Sequence, residues 1–152
     1  MKIFLTGSTG FVGKRILQDL LENKYQARCI VRQGSGQKFA QNKDIDIVLG
    51  DITDAGSLTG KLAGCDAVIN LIGIIREFPG KGITFEKLHY EGTANLVRAA
   101  REQGVRRFIQ MSALGAMFGS PLSSATTTGG AHEKNGPKNG MNWRITTSTV
   151  VA

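Results

Sequence analysis

Lys2-Ile3-Phe4-Leu5-Thr6-Gly7-Ser8-Thr9-Gly10-Phe11-Val12-Gly13 is the stretch that decides the fold. Lys2 to Leu5 is a short, mainly apolar run that breaks into glycine-rich sequence, which predicts a buried first strand. Beyond Gly13, the residues Ile16, Leu17, Leu20 and Leu21 recur at helical spacing. A strand, a tight turn and a helix therefore follow one another, with glycines at three-residue steps across the turn. Each glycine has a mechanical reason. Gly7 permits the tight turn, Gly10 lets the backbone approach a pyrophosphate, and Gly13 lets the helix pack close to the strand. The helix start adds free N–H groups and roughly half a unit of positive charge. Three glycines can also simply build a loop, but the strand–turn–helix context favours an anion-binding turn, and a dinucleotide above all.

The same alternation continues along the chain. Ala27 to Val31 and Ile45 to Leu49 predict two more strands, separated by the loop of Gly34, Ser35 and Gly36. Asp54 to Leu62 predicts a short helix capped by Asp54. Ala67 to Ile75 is almost continuously apolar, as a central parallel strand covered on both faces requires. Phe85, Leu88, Leu96, Val97 and Ala100 mark a longer helix ending near Gly104, and Phe108 to Met111 a fifth strand. Strands alternating with helices predict an α/β fold: a three-layer Rossmann fold with a parallel, doubly wound sheet.

After that the character changes. Nine of the twelve residues from Gly119 to Gly130 are Gly, Ser or Thr, and no helical period survives. The expected organisation is a nucleotide-binding core over residues 1–116, an irregular, poorly ordered segment over 117–140, and a sixth strand within 141–152. Asn142 to Val151 carries the β-branched residues of that strand.

The second strand's end bears on the cofactor. An NAD site usually sets an acidic residue there, about 20 positions past the glycines, against the ribose hydroxyls. This sequence has Val31-Arg32, with Lys38 further on. Cations suit a 2′-phosphate, so NADP(H) is favoured and NAD(H) is the alternative; a solvated strand end is the plain reading of Arg32. Asp51-Ile52, past the third strand, is a candidate contact for the adenine edge, and Asp51 is equally a turn former. Leu71, Ile72 and Gly73 end the fourth strand, where the crevice of such folds runs.

Composition narrows the alternatives. Hydrophobic residues make up 41% and charged residues 20%, ordinary for a soluble globular chain. The net charge is +7. The basic residues are scattered, with Lys14-Arg15 and Arg106-Arg107 as the only adjacent pairs, so nucleic acid is not the expected partner. Cys29 and Cys65 read as reduced, buried thiols, and His89 and His132 lack metal-ligand spacing, so no metal is expected. No apolar run approaches the roughly 18 residues of a membrane span, and the opening is no secretory signal, which predicts a cytoplasmic protein.

Taken together, TGSTGFVG, IVRQGS, LGDITDAGSL, DAVINLIGIIRE, FEKLHYEGTANLVRAA and GVRRFIQMSALGA resemble an atypical short-chain dehydrogenase/reductase over about residues 1 to 115. The likeness is nearest to bacterial proteins similar to the Rossmann-fold accessory subunit of respiratory complex I. NmrA-like regulators and nucleotide-sugar epimerases are more distant relatives. The resemblance implies that Thr6, Gly7, Thr9, Gly10, Phe11, Val12 and Gly13 surround the pyrophosphate. It implies Arg32 at the adenosine phosphate, Asp51 and Ile52 at the adenine, and Leu71, Ile72 and Gly73 beside the ribose. It also implies Ser112 as the catalytic serine and a C-terminal substrate region in relatives that this chain lacks, leaving the fold incomplete there. Peripheral association with a membrane complex at its inner face is a further implication. His89 stands where extended members often carry Asn, and no catalytic role is assigned to it.

The resemblance breaks at one functional point. Catalytic members carry Tyr-x-x-x-Lys on the helix after the fifth strand, the lysine lowering the tyrosine's pKa. The only tyrosines here, Tyr25 and Tyr90, lie upstream. A reading-frame shift shortly after Ala116 and genuine divergence are the two accounts of that departure. The expectation is an NAD(P)-binding protein without catalysis in this form. The alternatives are an oxidoreductase or epimerase of which this is a truncated or frame-altered form, and a peripheral respiratory subunit.

Overall fold

The computed structural model describes residues 1–35 and 42–112 in full and the backbone of 145–149. The segment expected to be irregular, 117–140, and residues 113–116 of the expected core lie outside the described residues.

Six strands form one parallel sheet: β1 (Lys2–Thr6), β2 (Gln26–Val31), β3 (Ile45–Leu49), β4 (Ala67–Asn70), β5 (Arg107–Ser112) and β6 (Ile145–Thr149). Their order across the sheet is β3-β2-β1-β4-β5-β6. The winding reverses between β1 and β4, whose register runs Phe4↔Val68, Leu5↔Ile69 and Thr6↔Asn70. In such sheets the ligand crevice lies outside the strand ends at that reversal. This bears out the expected doubly wound Rossmann architecture.

Alternation along the strands builds two cores. Phe4, Ile30, Val68 and Phe108 face one side, where α2 (Gly92–Glu102) supplies Leu96, Ala99 and Ala100. Leu5, Ala27 and Cys29 face the other, against Leu17 of α1 (Phe11–Glu22). Phe4 and Leu5 are adjacent in sequence yet sit in different cores, the period-two signature of a sheet covered on both faces.

Three elements differ from their expected extents. The helix expected over Asp54–Leu62 is a single 3-10 turn, Ala55–Leu58. The Asp54 carboxylate caps it by accepting from the Gly56 N–H at 3.0 Å. Gly60 and Gly64, at φ of +71° and +74°, bend the chain out of helical geometry beyond it. The strand expected through Ile75 stops at Asn70, because β1 turns away at Gly7 and the next amides bond to side chains instead. The long helix opens as a π-helical turn, Glu86–Glu91, before becoming α2. Among the described residues no helix is long and apolar enough to cross a membrane.

Candidate nucleotide-binding site

The glycine turn has little freedom to be anything else. Gly7 sits at φ +70°, a conformation that side chains resist. A Cβ there would also stand 3.1 Å from the carbonyl carbon of Leu71. A Cβ on Gly13 would lie 2.0 Å from the Gly7 oxygen and 2.8 Å from Ser8 Cα, so the helix rests directly on the turn. The Gly10 N–H donates to the Gly7 carbonyl at 3.0 Å and closes the loop.

Gly10 is also the N-cap of α1. No side chain caps the helix, and no acidic residue occupies its first turn. The Lys14 N–H reaches the Gly10 carbonyl at 3.1 Å, the first bond of the helical ladder. The N–H groups of Phe11, Val12 and Gly13 precede that bond and have no intrahelical acceptor. Bare amides and an uncompensated helix dipole at a sheet reversal form a cradle for an anion. Phe11 is 95% exposed, so its contribution to this cradle is its backbone. Ser8, by contrast, is buried under the turn, and its hydroxyl meets no N or O hydrogen-bond partner among the described residues.

Below the turn lies a polar network the sequence reading did not single out. The Thr6 hydroxyl donates to Asn70 Oδ1 and accepts from the Leu71 N–H at 3.1 Å. Asn70 Oδ1 also accepts from the Ile72 N–H at 3.3 Å. Asn70 Nδ2 donates to Gln110 Oε1 on β5 at 2.8 Å and to Thr93 Oγ1 on α2 at 3.3 Å. Thr6 and Asn70 are fully buried. The network ties β1, β4, β5 and α2 together under the crevice and fixes Leu71 and Ile72 beside the turn. A signal was present: Asn70 and Gln110 interrupt apolar strand runs, and a buried amide must be bonded.

His89 holds the next peptide. Its Nε2 lies 3.0 Å from the Ile74 nitrogen and 3.2 Å from the Ile74 oxygen, and its ring tilts against Phe85 at 5.7 Å between centroids. A Cβ on Gly73 would come within 3.2 Å of His89 Cε1. The π-helical turn thus brings His89 against Gly73 and Ile74.

The other candidate residues are spread along the strand ends. Arg32 follows β2 directly, is exposed, and makes no ion pair among the described residues. Asp51 builds a turn: one carboxylate oxygen accepts from both the N–H and the hydroxyl of Thr53, at 2.9 and 2.8 Å. Ile52 is 1% exposed, its side chain packed into the core against Gly92 and its carbonyl accepting from Asn95 Nδ2 at 3.1 Å. Ser112 ends β5 half-buried. Cys29 and Cys65 are free and buried, and burial pushes the Cys29 thiol up to about 11, away from nucleophilic duty. Among the described residues no cluster of His, Cys, Asp and Glu is arranged to hold a metal.

The chain is similar to known nucleotide-binding proteins. A family model described as NAD(P)H-binding matches residues 7–139. A "putative dihydroflavonol 4-reductase" of Synechocystis is 32% identical over 114 residues, covering 75% of this chain and 33% of the relative. A 3-beta-hydroxysteroid dehydrogenase of Mycolicibacterium neoaurum is 30% identical over 124 residues, covering 78% and 33% respectively. A short-chain dehydrogenase/reductase superfamily protein from Agrobacterium tumefaciens, solved with bound NAD, superposes with a TM-score of 0.61 at 28% identity. That match covers 74% of this chain and 33% of the solved one. The chain spans about a third of the length of these two curated relatives.

Proposed function

The chain belongs to the NAD(P)H-binding family, of reductase/epimerase type, and from that premise we propose that it binds NADP(H) in preference to NAD(H) without supplying a catalytic proton donor. The observation that carries the reading is the uncapped start of α1 resting on the Gly7 turn, with no room for a Cβ at Gly13. A dinucleotide fits this cradle: its pyrophosphate would meet the amides of Phe11, Val12 and Gly13, with Thr9 and Gly10 around them and the buried Thr6 supporting the turn from below. The adenine would meet Asp51 beside the buried Ile52, and the ribose would lie against Leu71, Ile72 and Gly73. The exposed Arg32, which makes no ion pair among the described residues, supports the phosphorylated cofactor, because a guanidinium offers a 2′-phosphate a bidentate partner.

When bound, the dinucleotide supplies hydride chemistry. The chain's own residues bind and orient it. The absence of any tyrosine after Tyr90 supports a binding role, in sensing, structure or assembly, over turnover. Calorimetric titration with NADPH and NADH tests the reading. NADPH binds at least tenfold tighter, and Arg32→Ala closes most of that gap. No binding of either nucleotide at millimolar concentration rejects the assignment, and an unchanged preference in the variant removes Arg32 from it.

Ser112 at the end of β5 favours a second reading, in which a longer form of this protein is a reductase or epimerase. A longer reading frame that encodes Tyr-x-x-x-Lys supports it, and one without that pair rejects it. Within this second reading, the relatives named above, a reductase and a dehydrogenase, support small-molecule redox chemistry for the longer form over a place as a peripheral respiratory subunit.

A further inference from the structure

Thr6, Asn70 and Gln110 stand side by side across β1, β4 and β5, as direct partners in the strand register. The hydrogen bonds along this row have a direction. The Leu71 N–H donates to the Thr6 hydroxyl at 3.1 Å, and that hydroxyl donates to Asn70 Oδ1. Asn70 Nδ2 donates to Gln110 Oε1 at 2.8 Å, and Gln110 Nε2 donates to the Met111 carbonyl at 3.1 Å. The chain thus joins the segment after β4 to the peptide that carries Ser112 at the end of β5.

Asn70 is the member that has no substitute. Its oxygen accepts twice, from Thr6 and from the Ile72 N–H, and its nitrogen donates twice, to Gln110 and Thr93. A primary amide offers two acceptor sites and two donors. An aspartate of the same shape accepts on both sides, and an apolar residue does neither. Cohesion of the sheet does not call for such a group, since replacing a hydrogen-bonded pair by apolar groups of the same shape can be nearly neutral. Orienting the two successive amides of Leu71 and Ile72 does call for it, because only polar acceptors hold them.

We infer that Asn70 is a positioning residue for the nicotinamide half of the nucleotide, acting through the Leu71 and Ile72 peptides and braced from β5 by Gln110. This rests on the nucleotide assignment above. The order of the strands supplies the placement. With the pyrophosphate over β1 and Arg32 beyond β2 taking the 2′-phosphate, the remainder of the dinucleotide extends to the other side of β1, over the end of β4. Asn70 is fully buried, so its effect on a ligand passes through those peptides.

The test titrates the full chain by calorimetry with NADPH and with 2′-phospho-ADP, which keeps the adenine, the 2′-phosphate and the pyrophosphate but has no nicotinamide riboside. Wild type binds NADPH the more tightly. Asn70→Asp keeps the acceptor bonds but sets an oxygen against Gln110 Oε1. It weakens NADPH roughly tenfold and leaves 2′-phospho-ADP within about twofold. Gln110→Met, at a half-buried position, removes the acceptor for Asn70 Nδ2 and gives the same split, and it decides the matter should Asn70→Asp fail to fold. A purely structural network weakens or abolishes both ligands together, and that result in Gln110→Met overturns the inference. So does NADPH affinity unchanged in the variants, or no tighter than that of 2′-phospho-ADP in the wild type. Failure of 2′-phospho-ADP to bind the wild type rejects the nucleotide assignment instead, so the two failures are distinct.

Discussion

Gly13 has the least tolerance of any position in the turn, because the atom a Cβ would strike is the Gly7 carbonyl oxygen at 2.0 Å, and backbone cannot swing aside. Gly13→Ala lifts the helix start off the turn, at a cost of about 3 kcal/mol, the upper end of ordinary overpacking. The variant melts lower and loses nucleotide binding. A variant with wild-type affinity would show that the amides of Phe11 to Gly13 do not form the phosphate cradle. The same scale shows how legible the site was. Gly7, Gly10 and Gly13 announce themselves by spacing. Asn70 did not, because its role depends on Thr6, Thr93 and Gln110, which are 64, 23 and 40 residues away.

Between elements, the strands at the β3 edge are joined by charge as well as by backbone. Asp46 on β3 accepts from Arg28 on β2 at 2.6 Å and from Lys2 on β1 at 3.0 Å. Arg28 also donates to the carbonyls of Lys61 and Ala63, at 3.0 and 2.9 Å, pinning the β3–β4 crossover. The Arg28 hydrogen bond, reinforced by Lys2, holds the Asp46 carboxyl below its usual range. A lowered folded pKa means stability that is present above the unfolded value, near 3.9, and lost as pH falls through the folded one. Asp46 is 43% exposed, so the contribution is below about 1 kcal/mol at neutral pH. Asp46→Asn therefore unfolds at slightly lower urea than wild type at pH 7, and the gap narrows by pH 3. A gap that stays constant across that range excludes the ion pair as its source.

At the scale of the whole molecule, binding and stability are linked. NADPH at 100 times its dissociation constant stabilises the folded state by about 2.7 kcal/mol, which for a chain of this size raises the melting temperature by roughly 5–10 °C. The shift disappears in Gly13→Ala, and NADH at equal concentration gives a smaller one. Equal shifts from both nucleotides would remove the preference for the phosphorylated form. The order of strands and helices was legible in the chain because each strand is a short apolar run closed by glycine or a polar residue. Element ends were less legible. The helix expected to run from its Asp54 cap to Leu62 is the single turn Ala55–Leu58, because the positive φ at Gly60 and Gly64 is a property of the folded path.

The residues alone determined that a strand, a glycine turn and a helix stand in sequence, since steric limits at Gly7 and the apolar period after Gly13 are local. They also determined the parallel alternation, because short crossovers of one hand leave little choice of topology. Tertiary packing decided what the sequence left open. It ended β4 at Asn70 by giving the amides of Leu71 and Ile72 side-chain acceptors. It sent the Ile52 side chain into the core against Gly92, and it opened the helix before α2 as a π turn that brings His89 to Ile74. Each of these depends on a partner distant in the chain, and such partners exist only once the sheet has formed.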